Sequence, residues 1–266
     1  MKRLMMLKIL FILTLGSSMI GAMTIDFEAR KNKTSLQKKA NKTGLFKTKK
    51  NIKVRNQKKN LEKELLEAAK EGDTKHLKKL IAEGNADINT QDDSGSTPLH
   101  AALYRSIDEI SENGIPSCVK ILLNSGVDVN LADNDGYTPL HCVSYYGNPD
   151  CLQALLDAGA IVDSKLDGTQ GTPLHVTAIY GNTECLELLL KAGANINGTT
   201  SHDITALHLA TRKGQIKCIK ALIKAGADLT LENEDWDTPR DINPALFDRC
   251  MREVEREKRL VPNTKK

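Results

Sequence analysis

Aromatic side chains are scarce in this sequence: one Trp, four Phe and five Tyr among 266 residues. Apolar residues still make up 40% of the chain, enough for a core. Filled by Leu, Ile and Ala, such a core suits a stack of short helices. The usual signatures of catalysis are missing. There is no G-x-S-x-G, P-loop, H-E-x-x-H, C-x-x-C or glycine-rich dinucleotide fingerprint, so enzymatic chemistry has no foothold. His141 and Cys142 are adjacent, but both fall inside an ordinary helical segment. No long apolar run is present either. A membrane-spanning helix needs about 20 apolar residues, whereas Ile9 to Met23 is shorter and broken by Ser and Gly.

That segment fits an address better than an anchor. Met1-Lys2-Arg3 is a basic start, Ile9 to Gly16 is apolar, and small residues follow up to Ala22. This three-part order predicts a signal peptide over 1–22, cleaved after Ala22, and hence export to a periplasm or beyond. No Cys follows the apolar stretch, which argues against a lipid anchor.

Charge is divided unevenly. Residues 23–60 hold thirteen Lys and Arg against two acids, while residues 61–266 carry a net −10. The arm 23–60 lacks sustained apolar periodicity and is expected to be disordered. Its lysines allow nucleic-acid or anionic-membrane binding, a nuclear import signal, contact with the acidic body, or a spacer role. The acidic body argues against nucleic acid as the main partner.

Self-similarity organises the rest. Thr97-Pro98-Leu99-His100 recurs at Thr138, Thr172 and, as Thr-Ala-Leu-His, at Thr205, and it degenerates to Thr238-Pro239-Arg240-Asp241. The spacings are 41, 34, 33 and 33. Two glycine series keep the same beat: Gly84, Gly126, Gly159, Gly193, Gly226, and Gly72, Gly114, Gly147, Gly181, Gly214. Thr is a helix N-cap, Pro suits the first helical position, and Gly closes helices in the left-handed region. The second helix of each unit is amphipathic, as Leu152, Leu155 and Leu156 illustrate. The first spacing exceeds the others through Ser106–Asn113, an insert that is either functional or merely tolerated.

Together these markers resemble the ankyrin repeat over about 61–260. The resemblance implies an all-α repeat solenoid: about six helix-turn-helix units joined by β-hairpin loops. Caps are expected at 61–92 and 233–260, because terminal repeats need polar outer faces, with a short tail over 261–266.

Two in-phase series invite chemistry. Cys118, Cys151, Cys185, Cys218 and Cys250 recur once per unit. Stacked helices lie about 8–10 Å apart, beyond the roughly 7 Å a disulfide allows, so buried thiols are expected. Reduced thiols favour a reducing final compartment, such as a host cytosol. His100, His141, His175 and His208 cannot converge on one ion. The family resemblance implies that each instead hydrogen-bonds between units. No metal or cofactor is expected.

The resemblance also implies docking on a concave side, built from hairpin tips and the ends of the first helices. Those slots hold Tyr104 and Arg105, Tyr145 and Tyr146, Ile179 and Tyr180, and Arg212 and Lys213. Tyr137 occupies a tip, so all five tyrosines share this side. Acids accompany them: Asp92, Asp93, Asp133, Asp135, Asp203, Glu234, Asp235 and Asp237. The expectation is a non-enzymatic protein-binding module. Its tyrosines, with Tyr145 and Tyr146 central and pointing out of the stack, would anchor a partner bearing basic and apolar groups. A monomer without a small-molecule substrate is expected.

Overall fold

The computed structural model describes residues 45–104 and 116–260. The expected signal peptide, residues 23–44 of the arm, Arg105, the insert Ser106–Asn113 and the tail 261–266 lie outside them. Twelve helices are present among the described residues. They are α1 (Leu45–Glu71), α2 (Thr74–Glu83), α3 (Pro98–Tyr104), α4 (Ser117–Asn124), α5 (Pro139–Tyr146) and α6 (Pro149–Asp157), followed by α7 (Pro173–Tyr180), α8 (Thr183–Lys191), α9 (Ala206–Lys213), α10 (Ile216–Lys224), α11 (Pro239–Ile242) and α12 (Pro244–Leu260). They form six consecutive pairs. The chain divides into two compact units, 1–57 and 58–266, and the stack belongs to the second.

Stacking follows the repeat. The first helices of successive units pack as α3 on α5, α5 on α7, α7 on α9 and α9 on α11. The second helices pack as α2 on α4, α6 on α8, α8 on α10 and α10 on α12. One continuous core results, with Leu99, Leu140, Leu174 and Leu207 from the first helices and Leu122, Leu155, Leu189 and Leu222 from the second, all at 1% exposure or less. Each of these helices is only seven to nine residues long, too short to persist alone in water. Burial against neighbouring units is what holds them.

The buried histidines tie unit to unit. In His141, Nδ1 accepts from the Thr138 backbone N–H at 3.3 Å and lies 2.9 Å from the Thr138 hydroxyl. Its Nε2 donates to the Gly171 carbonyl of the next loop at 3.3 Å. His100, His175 and His208 repeat this pattern toward Tyr137, Ile204 and Asp237 at 2.9, 3.1 and 3.0 Å. The threonine hydroxyl therefore serves the ring more than the helix N-terminus. It also accepts from the backbone, but only weakly, as at Thr97 and Thr205 at 3.3 and 3.4 Å.

Side-chain amides provide a second tie. Asn182 donates to the Ser144 and Tyr145 carbonyls at the end of α5, at 2.8 and 2.9 Å, and Gln215 does the same for Ile179 at 3.0 Å. Gly147 closes α5 at φ 78°, and a Cβ there would collide with the Asn182 amide. Glycine is thus required for its conformation and for the close approach of the next unit.

Two expectations need correction. Residues 45–60 of the arm are helical and continue into the opening cap as one element, α1. Lys, Leu, Gln and Arg are good helix formers, and neither Gly nor Pro interrupts the stretch. The expectation of disorder rested on missing apolar content, and Val54–Asn60 are indeed exposed, but propensity supports helix here without a buried face. Second, the connecting loops hold no strand among the described residues, only an isolated bridge between Thr199 and Thr205.

The closing cap is amphipathic. α12 buries Phe247, Cys250 and Val254. Its outer turns are held by Lys220 to Glu253 at 3.2 Å and to Glu257 at 2.9 Å, and by Lys224 to Glu257.

Candidate binding face

The loop tips are built by their own side chains. The Asp133 carboxylate accepts from the backbone N–H groups of Asp135 and Tyr137 at 3.0 and 2.8 Å. Asp92 does the same for Ser94 and Ser96, both at 2.9 Å, and the Asn233 amide for Asp235 and Asp237 at 2.9 and 3.0 Å. Thr200 substitutes a hydroxyl. Part of the acidic edge read from the sequence is therefore turn scaffolding. Neighbouring tips are linked as well: Asn134 donates its backbone N–H to Ser94 and its amide to Asp93, at 3.0 and 2.9 Å.

These tips present Tyr137 beside the C-terminal ends of α3, α5 and α7. Four tyrosines form a continuous edge-on chain: Tyr104 to Tyr146 at 5.7 Å between ring centres, Tyr146 to Tyr145 at 4.9 Å, and Tyr145 to Tyr180 at 4.3 Å. Edge-to-face geometry suits the ring quadrupoles. Tyr137 lies edge-on to the His141 ring at 6.0 Å. Tyr104, Tyr145 and Tyr180 are 44–49% exposed. For rings otherwise packed together, that leaves a large surface for a partner.

Two cavities adjoin the tyrosines. One, of about 310 Å³, is lined by Tyr104, Tyr137, Tyr145, Tyr146, Asp133, Asp135 and Cys142. The other, of about 300 Å³, lies against Tyr137, Tyr145, Ile179 and Tyr180 and is floored by Leu166, Val176 and Leu209. Tyr137 and Tyr145 belong to both. Burial raises the phenols of Tyr104, Tyr137 and Tyr146 above the ordinary tyrosine value, and for Tyr104 and Tyr137 the Asp133 and Asp135 charges add to it. Burial also pushes the Cys142 thiol up to about 12. Tyr104, Tyr137, Tyr146 and the thiol are thus held in their neutral forms, and the acidic side chains of the first cavity are Asp133 and Asp135.

The sequence-derived residues divide into groups. Tyr104, Tyr137, Tyr145, Tyr146, Ile179, Tyr180 and Asp135 are brought together around the two cavities. Arg212, Lys213 and Asp235 are exposed in the corresponding places of later units but line neither. Tyr146 corrects an expectation: it is half-buried and packs against the core, rather than pointing out of the stack. Tyr180, at the same helix position in α7, is 49% exposed, so Tyr146 is covered by the Tyr104 and Tyr145 rings packed on it rather than by its place on the helix.

Two contributors to the second cavity, and one exposed tip residue outside both cavities, escaped the sequence reading. Leu166 and Leu209 carry no repeat signature that marks them as surface apolar residues. Trp236, the only Trp, is 79% exposed at the last tip and adopts φ 63° where the first tips have Gly95 and Gly136. Its register against those glycines was the available signal.

A family model described as "Ankyrin repeats (3 copies)" matches residues 65–166 and 161–233, together more than half of the chain. The chain belongs to the ankyrin-repeat family. No curated protein matches it. Ankyrin repeats generally mediate protein–protein interaction, typically without enzymatic activity. Among the described residues no group of three or more His, Cys, Asp or Glu could hold a metal ion, and no helix is long and apolar enough to cross a membrane.

Proposed function

We propose that this ankyrin stack is a non-enzymatic interaction module that holds a partner protein on the tyrosine face. The observation that carries the reading is the edge-on chain from Tyr104 through Tyr146 and Tyr145 to Tyr180, open to solvent beside two cavities. Exposed tyrosines on a rigid scaffold are strong anchors, because they bury much area while losing little side-chain freedom. The acidic rim of Asp133 and Asp135 favours a partner with basic as well as apolar groups. The basic, apolar and small-residue order of the sequence over 1–22 supports export, and an acceptor protein outside the producing cell, including a host protein, fits that route.

Affinity capture of partners on the full chain, quantified by mass spectrometry, tests this reading. Tyr145→Ala and Tyr180→Ala should each deplete the specific partner by tenfold or more, as truncation of an aromatic anchor by about 2 kcal/mol implies. Capture unaffected by both would move binding off this face. The basic residues of the arm and α1 support a second reading, binding to nucleic acid or anionic membrane. That reading requires steep loss of binding with salt and indifference to the tyrosine changes.

A further inference from the structure

The cavity between the second and third units has the composition of a cation receptor. Four tyrosines and two aspartates line it. Ring faces attract a cation through their quadrupole, and a carboxylate at the rim adds a charge-assisted acceptor. Among the described residues no Lys or Arg pairs with Asp133 or Asp135, although other carboxylates of the stack are paired, such as Glu253, Glu257 and Asp248. Asp133 engages the turn N–H groups through Oδ1 alone. The repeat body as a whole is acidic, at −10 over 61–266. An acidic rim around phenol rings, without a counter-charge among the described residues, is complementary to a cation from outside.

We propose that this cavity receives an arginine side chain from an extended segment of the partner protein, the guanidinium lying among Tyr104, Tyr137 and Tyr145 and bonding to Asp133 and Asp135. The inference rests on the tyrosine face being the binding face and names what enters it. Arginine is chosen over lysine on two grounds. A guanidinium is flat, so it can stack on a ring while donating in its own plane to a carboxylate. It is also more weakly hydrated than an ammonium, which lowers the cost of entering a half-open aromatic cavity. The adjoining cavity floored by Leu166, Val176 and Leu209 would take an apolar side chain of the same segment, and the shared Tyr137 and Tyr145 set the two subsites side by side.

The test uses the full chain with ring-labelled tyrosines and a blocked pentapeptide, Gly-Gly-X-Gly-Gly, titrated by NMR. X is arginine, citrulline, lysine, trimethyllysine or norleucine. Arginine should bind tightest, at least about tenfold tighter than citrulline, which keeps the shape but loses the charge. Tyr104→Leu should weaken the arginine peptide about tenfold, and Tyr104→Phe, which retains the ring, should restore most of it. Asp135→Asn should weaken it severalfold. Each variant's melting temperature is checked, so that loss of fold is not read as loss of the site. Equal binding of arginine and citrulline, or tighter binding of norleucine, would overturn the proposal in favour of an apolar subsite. Tighter trimethyllysine would overturn it in favour of a methylammonium cage, and no arginine binding by a folded chain would overturn it outright. Failure here with partner capture still sensitive to Tyr145→Ala and Tyr180→Ala refutes only the arginine assignment. Capture insensitive to both refutes the face itself.

Discussion

Mild acid should loosen this stack well before its carboxylates titrate. His141 is fully buried, accepts at Nδ1 from Thr138 and donates at Nε2 to Gly171. Protonation would place a second N–H on Nδ1, facing the Thr138 N–H that it now accepts from. Burial is the main cause that lowers its pKa from 6.5 to about 4. The folded-state value lies below the unfolded one, so the unfolded chain binds the proton more readily. Stability is therefore fully present above the unfolded value and is lost as pH falls from about 6.5 toward about 4. For His141 alone, linkage gives a loss of about 2 kcal/mol between pH 7 and pH 5, approaching about 3 kcal/mol below pH 4. His100, His175 and His208 are shifted in the same direction, again chiefly by burial, so the whole-chain loss should exceed the single-site figure. Urea unfolding followed by circular dichroism at pH 7, 6 and 5 measures it. His141→Gln should be less stable at pH 7 but lose less between pH 7 and 5. Stability that stays flat or rises from pH 7 to 5 would show that these rings are not the neutral inter-unit ties described above.

Other expectations concern packing and exposure. Leu155→Ala removes a fully buried side chain from α6 and should cost about 2–5 kcal/mol in chemical denaturation. Tyr145→Ala, exposed but edge-on to two rings, should cost about 0.5–1.5 kcal/mol, whereas Tyr146→Ala, edge-on to two rings and packed on the core, should cost about 1–3 kcal/mol; a larger effect of Tyr145→Ala in thermal melts would contradict the deeper burial of Tyr146. The Cys185 thiol is buried, and burial pushes it up to about 12, so its alkylation should be orders of magnitude slower in the native chain than in denaturant. A chain starting at Leu61 should melt within a few degrees of the full-length protein, because Val54–Asn60 are exposed while Leu65, Ala68 and Ala69 are in the core.

The repeat was legible because the same side chains do the same work in each unit. Thr, His and Gly mark a cap, a tie and a helix stop, and their spacing needs no tertiary information. The tyrosine face was legible for the same reason: Tyr104 and Tyr145 occupy one repeated slot, and Tyr146 and Tyr180 the slot beside it. What could not be read was direction and depth. Tyr145 is exposed and Tyr146 half-buried, while Tyr180 in the slot of Tyr146 is exposed, so depth depends on which rings the neighbouring units supply. Asp133 looks like surface charge, yet its carboxylate closes a turn that depends on backbone N–H positions. The helical half of the arm was missed because its pattern is one of propensity alone, without an apolar face to betray it.

The claim that the tyrosine face is the binding surface is tested most directly by hydrogen–deuterium exchange of the chain with and without a captured partner. The account predicts slowed exchange in the tips around Asp133–Tyr137 and Thr200–Ile204 and at the C-terminal ends of α3, α5 and α7, with α6, α8 and α10 unchanged. Protection confined to those second helices, or to α1, with the tyrosine face exchanging as in the free chain, would contradict it.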